Sequence, residues 1–393
     1  MKEENIQQKD IEQQLKTIYH IAKDNLSDDE ASHVAAMRLW ENREILQSGM
    51  GEWSKSAIDD LKDSVELLSG GTNTVLVDDR GLPSIMVHIP PIYLDQISDA
   101  LPHMLHPVFR SNGKPVKNMY LSKFQNILVN GRAYSLPMRD PETTLQYMDA
   151  VRACSGKGNG WGLSPFGLRS ALVLMSRKNG FMAHGNNDME HDYYFPQEHG
   201  IATADGRVAT GSGPVSWSHN GSYHGVWDLN GNLNEWDAGM RLVNGQIQLY
   251  PGCESLFQGE DNTLWRAVTP QGALVAPSTP GTLRYTGRPG KIQLTNADLP
   301  VTDAHIDCGF TEISAAAGLQ VPDILLSYSL FPEEIGGDYG GGWRRVETKG
   351  DRRPLSGGAS RAVDHSGVFM VCITIGPEED YHLYGFRSAY AQL

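Results

Sequence analysis

The chain has 393 residues, enough for two or three domains and a substantial core. Hydrophobic residues make up 40% and charged residues 20%, which argues against disorder, and the formal net charge of −14 argues against a general binder of nucleic acid or anionic membranes. Only four cysteines occur, Cys154, Cys253, Cys308 and Cys372, none at CxxC spacing, which argues against a zinc ribbon or a disulfide-dense scaffold.

The N-terminus, MKEENIQQKD, has neither the basic nor the apolar region of a secretory signal, and no apolar run approaches the length of a membrane span. Residues 1–70 hold no proline and carry 8 Lys/Arg against 15 Asp/Glu, so half of the net charge sits there. Ile11, Leu15, Ile18 and Ala22 form a helical stripe, and Ser27-Asp28-Asp29-Glu30 is a capping box opening a second helix. Ile58, Leu61, Val65 and Leu68 predict a third, closed by Gly70-Gly71. These short helices would be marginal alone. Residues 1–72 are therefore expected to form a small helical region, either a simple hairpin or bundle, or a module for oligomerisation or docking.

From residue 73 the texture changes. Strand-like runs, Thr74–Val77 and Ser84–Ile89, alternate with Gly, Pro, Asn and Asp clusters. Two later segments read as helices. Pro141–Ala153 begins with Pro at an N1-like position and carries Leu145, Met148 and Val151 on one side, and Pro165–Lys178 carries Leu168, Leu172 and Met175. No long helix is expected beyond residue 180. The fold class is α+β, with residues 73–393 as one glycine-turn-rich domain.

His184, Glu190 and His191, with His219 and His224, cluster in sequence but fit no metal-binding pattern, and are expected to be polar loop residues. Ser155-Gly156-Lys157-Gly158 lacks the spacing of a phosphate loop. The segment Gly225–Trp236, GVWDLNGNLNEW, contains the tight-turn signal Asn230-Gly231 between two tryptophans expected to bury it. Asn232 and Glu235 offer an amide oxygen and a carboxylate three residues apart, chemistry suited to a structural Ca²⁺. The alternative is a turn held by side-chain hydrogen bonds; no other cofactor is expected.

GVWDLNGNLNEW resembles the GNVWEW signature of the formylglycine-generating enzyme (sulfatase-modifying factor) family, whose domain is a variant of the C-type lectin fold. The closing GFRSAY, Gly385 to Tyr390, resembles that family's terminal GFR, and YLSKFQNILVNGRAYSLPMRDPETT resembles its first strand and following loop. The pattern spans roughly residues 85–393. The variable proteins of diversity-generating retroelements, phage tropism determinants among them, are a subgroup with a closer likeness. They resemble this chain in GRVATGSGPVSWSHNG, in the late glycine pair Gly357-Gly358, and in a GVF followed by GFR.

The resemblance implies a C-type-lectin-like domain with a variable ligand-binding region at about 355–387. It also implies a host cell-surface protein or glycan as partner, a homo-oligomer joined through its N-terminal region to a tail fibre or baseplate, and, after cytoplasmic synthesis, a place on the phage tail. No nucleic-acid partner or membrane insertion is expected. The catalytic cysteines of the resembled oxidases are missing: Ser388 follows GFR, and Ser356–Arg361 contains none. A non-enzymatic role is therefore expected. The alternatives are a formylglycine-generating-type oxidase or non-haem iron enzyme, and a non-diversified virion or carbohydrate-binding protein.

In such retroelements adenines of a template are randomised, so an AAC codon becomes NNC, which never encodes Met, Glu, Lys, Gln or Trp. Ala359, Ser360, Arg361, Ala362, Val363, Asp364 and His365 all pass this filter, as do Cys372, Thr374, Ile375, Asp380, Tyr381, His382 and Leu383. With Tyr384 these are the candidate ligand-binding residues. Tyr381, His382 and Tyr384 offer amphipathic contact area at low entropic cost, and Arg361 an anchor. Val371 and Ile373 read as core strand residues, and Gly357, Gly358, Gly367 and Gly385 as scaffold.

Overall fold

A computed structural model describes residues 55–301 and 303–393. The helices expected around Ile11–Ala22 and Ser27–Glu30 lie outside the described residues. The third expected helix is α1, Lys55–Leu68. It stops as its glycine pair dictates: Gly70 and Gly71 take φ of +59° and +82°, the Gly71 N–H reaches the Glu66 carbonyl at 2.8 Å, and the Gly70 N–H reaches Leu67 at 3.3 Å. That is a Schellman closure, which satisfies carbonyls a helix end would otherwise orphan. Its buried Leu61 and Val65 join Val75, Ile85, Trp217 and Trp227 in one cluster, so this helix packs on the strands and turns that follow it.

The chain is mixed α+β. A five-stranded antiparallel sheet runs in the order Asn73–Val77, Pro83–Ile89, Asn118–Ser122, Ser388–Gln392, Trp161–Leu163. The two strand-like runs read from sequence form its first two strands. A larger, branched sheet contains His305–Gly309, Trp343–Glu347, Val371–Ile375 and Asp351–Ser356 side by side, and continues through Met240–Val243 and Gln246–Leu249. Asp351–Ser356 also pairs with Asn234–Trp236, which in turn carries Tyr384–Phe386 in parallel.

Helix α2, Tyr147–Ser155, starts later than the expected Pro141. Thr144 sits at φ +59°, which no helix tolerates, and the flanking backbone is committed elsewhere. Glu142 N–H donates to Asn126, the Leu145 carbonyl accepts the Trp236 indole N–H, and Tyr147 N–H donates to Pro377. Helix α3, Phe166–Lys178, agrees with expectation, with Pro165 as an extended N-cap residue. The two helices further along span only Ser255–Gln258 and Asp323–Ser327. No helix among the described residues is long and apolar enough to cross a membrane. All four cysteines are buried free thiols.

Candidate functional site

The two motifs that carry the resemblance meet in space. Tyr384, Gly385 and Phe386 pair in parallel with Asn234, Glu235 and Trp236. Arg387, the residue after that strand, is 1% exposed and forks onto Glu235, also 1% exposed. Its Nη2 donates to Glu235 Oε1 at 2.6 Å and its Nε to the second oxygen, while its remaining N–H groups reach the carbonyls of Trp227 and Ser122. A bidentate arginine–carboxylate pair with its spare donors satisfied is the arrangement in which a buried ion pair can persist. Arg169 from α3 lies 4.0 Å from the same carboxylate.

The residues singled out as calcium donors belong to this interior network. Asn232, at φ +61°, accepts from Val208 N–H at 2.9 Å and Asn186 Nδ2 at 3.1 Å, and donates to Gln125 Oε1 and the Val208 carbonyl. Gln125 donates in turn to Glu235. The full hydrogen-bonding capacity of the Asn232 amide is thus engaged by protein, and both Glu235 oxygens face Arg387. This is the arrangement of a turn held by side-chain hydrogen bonds. No group of three or more His, Cys, Asp or Glu side chains among the described residues is placed to hold a metal ion.

On this frame lies the segment Ala359–His365, bracketed by glycines. Gly358, at φ +79°, has no room for a side chain, because a Cβ would lie 2.2 Å from Ser366 Oγ. That hydroxyl is held by the Gly357 carbonyl and Asn230 Oδ1, both at 2.9 Å. The segment itself is fixed through its backbone: Ser360 N–H donates to Asn232, Val363 N–H to Asn187, and the Ser360 carbonyl accepts from Met189. Arg361 and Asp364 are exposed, and Ala362, Val363 and His365 are half-buried. Val363 takes φ +45°, an outlier for a β-branched residue.

Four of the sequence-selected candidates do not reach solvent. Ala359 and Leu383 pack with Leu233 in a small core cluster, Ser360 is fully enclosed, and Cys372 is buried with its thiol 3.1 Å from Thr374 Oγ1. As placed, these side chains cannot meet a ligand arriving from outside. The NNC filter reads codons and carries no information on burial.

The ring contacts of the remaining candidates form two groups, one of Tyr381, His382 and Tyr384 and one around His365. Asp380 and Tyr381 are exposed, and His382, Tyr384, Thr374 and Ile375 are half-buried. Tyr381 packs against His382 and Tyr384 with ring centroids 4.1 and 5.5 Å away, and Tyr384 meets Trp236 at 5.5 Å. On the other side His365 lies 4.0 Å from the Trp343 ring and 3.1 Å from Arg345 Nη2. Arg345 is paired in register with Cys372, which links the two groups across the strand Val371–Ile375. Burial pushes the Tyr384 phenol and the Cys372 thiol up, so both stay neutral at ordinary pH.

Sequence reasoning missed Trp343 and Arg345. In the strand Trp343–Glu347 half-buried residues alternate with buried Arg344 and Val346, but the run WRRVE has no apolar–polar alternation to mark it in the sequence. Also missed was the loop beside Ala359–His365, whose Met189, Tyr193, Tyr194 and Phe195 are all exposed. His219, expected in a polar loop, is instead buried, its Nδ1 accepting the Val226 N–H, and desolvation lowers its pKa to about 4.

Compared with known proteins, the chain matches no family model and no curated protein.

Proposed function

We propose that this chain is a non-enzymatic ligand-binding protein diversified by a retroelement. In this reading residues 73–393 form a C-type-lectin-like domain of the formylglycine-generating-enzyme kind. The binding surface consists of Arg361–His365, Thr374, Ile375, Asp380–His382 and Tyr384, with Trp343 and Arg345 as fixed neighbours. The partner is a host cell-surface protein or glycan, and the protein acts as a homo-oligomer on a phage tail, where multivalency compensates for weak single-site affinity.

The observation that carries this reading is the division of labour at Ala359–His365. The segment is held by glycine turns and by backbone hydrogen bonds, which do not depend on side-chain identity, while Arg361 and Asp364 point to solvent. A scaffold of this kind tolerates replacement where a core does not. Val363 fits the same logic, since its residue type is poorly matched to its backbone conformation. The buried, raised-pKa Cys372 lacks the thiolate character that cysteine catalysis requires, which supports a non-enzymatic role.

Sequencing the DNA around the gene tests the proposal. A reverse-transcriptase gene and a near-copy of codons 350–390 that differs only at adenines are expected. A locus with neither sinks it.

A further inference from the structure

A cavity of about 400 Å³ lies beside the candidate variable loop, between the turn Met182–Phe195 and the glycines Gly340, Gly341 and Gly367. That volume falls within the range of small-ligand sites. Its wall is built deliberately by Asp192, which is buried. One carboxylate oxygen accepts the N–H groups of Tyr194 and Phe195 at 2.9 and 3.0 Å, and the other accepts Gly185 N–H at 2.9 Å. This turn presents Tyr194, 58% exposed, and stacks Phe195 on His184 at 3.9 Å with the rings nearly parallel. His184 is itself oriented: its Nδ1 lies 3.0 Å from buried Glu198, which also accepts from Ser216 and the Trp217 indole. The ring's other nitrogen, Nε2, has no hydrogen-bond partner among the described residues, and the ring lines the cavity. Gly341 leaves the opposite wall bare, since a Cβ there would stand 3.6 Å from the Tyr194 hydroxyl.

The lining sorts ligands by charge. Among the described residues it contains no Lys or Arg, so an anion finds no partner there. Asp192 is consumed by backbone donors, and the remaining carboxylate, Asp338, is solvent-exposed and tied to Gly340 N–H, a weak counter-charge for an organic cation. What is left is aromatic surface beside an imidazole, a phenol hydroxyl and amide groups. We propose that this cavity binds a single pyranose ring of a neutral glycan. The C–H-rich face of the sugar stacks on Tyr194, and its hydroxyls hydrogen-bond to His184, Asp338 and the glycine-loop backbone. None of the lining residues belongs to the candidate variable set, so the pocket stands whether or not the neighbouring loop is diversified.

Saturation-transfer-difference NMR on the full chain tests this with the methyl glycosides of glucose, galactose, mannose and N-acetylglucosamine. Tetramethylammonium and N-acetylneuraminic acid serve as cationic and anionic comparators. At least one neutral glycoside is expected to give ring-proton transfer. The signal should fall at least tenfold in Tyr194→Ala, and about threefold in Asp338→Asn, with melting temperature unchanged because both side chains are exposed. It should persist in Arg361→Ala/Tyr381→Ala. Transfer from no neutral glycoside, transfer only from a charged comparator, an undiminished signal in Tyr194→Ala, or its loss in the Arg361/Tyr381 variant overturns the assignment. A locus without a template repeat would end the diversification reading and leave this pocket untouched.

Discussion

Arg387 and Glu235 illustrate how single residues hold the site in place. Removing either partner strands the other's charge inside the fold, so Arg387→Ala and Glu235→Ala should each cost about 3–5 kcal/mol in urea denaturation. The candidate surface should divide by burial in the same assay. Arg361→Ala and Tyr381→Ala are expected to stay within about 0.5 kcal/mol of the parent, because both side chains are exposed. Leu383→Ala should cost about 2–4 kcal/mol, since it empties the cluster shared with Leu233 and Ala359. Val363 should behave in the opposite sense. An L-residue in the left-handed region carries a penalty of roughly 1–2 kcal/mol that Asn and Gly largely escape, so Val363→Asn should stabilise the protein by about 1 kcal/mol. A loss on that substitution would mean that the Val363 side chain does more for packing than its backbone costs. At this scale the sequence was least informative where burial decides. Nothing in ASRAVDH marks Ala359 and Ser360 as enclosed and Arg361 as exposed, because that distinction comes from the distant strands and loops packed around them.

Among elements, α1 and α3 and the first two strands were legible because apolar period and end signals agree in each. Helix α2 starts six residues later than its sequence suggests because its start is set by remote partners: Asn126, Trp236 and Pro377 capture the backbone of residues 142–147. The strands of the larger sheet, some as short as two residues, leave too few alternations to read. The connection after α2 makes a prediction of its own. Lys157 is buried, its Nζ donating to Ser84 Oγ at 2.8 Å and lying 3.5 Å over the Trp161 ring. Desolvation lowers its pKa to about 7. Below pH 7 native and unfolded chains both carry the proton, and the native state bears the cost of an enclosed ammonium. Between about 7 and the ordinary lysine value of 10.5 the unfolded chain holds a proton that the native chain has released, so stability rises with pH across that window. Urea midpoints taken from pH 7 to 10 should increase, and Lys157→Met should remove most of that slope. An unchanged slope in the variant would assign it to other groups.

For the molecule as a whole, the strand Ser388–Gln392 lies between Asn118–Ser122 and Trp161–Leu163, joining residues more than two hundred positions apart. Until it is inserted, each of those two strands presents a row of unpaired N–H and carbonyl groups, the geometry that recruits strands from other chains. The residues proposed to vary thus immediately precede the segment that seals the sheet. A chain cut after Arg387 would keep every candidate contact residue and still carry two open sheet margins. Light scattering should show it self-associating at concentrations where the full chain does not. A lesion of the sealing strand would therefore appear first as loss of colloidal solubility, before any change in recognition could be measured.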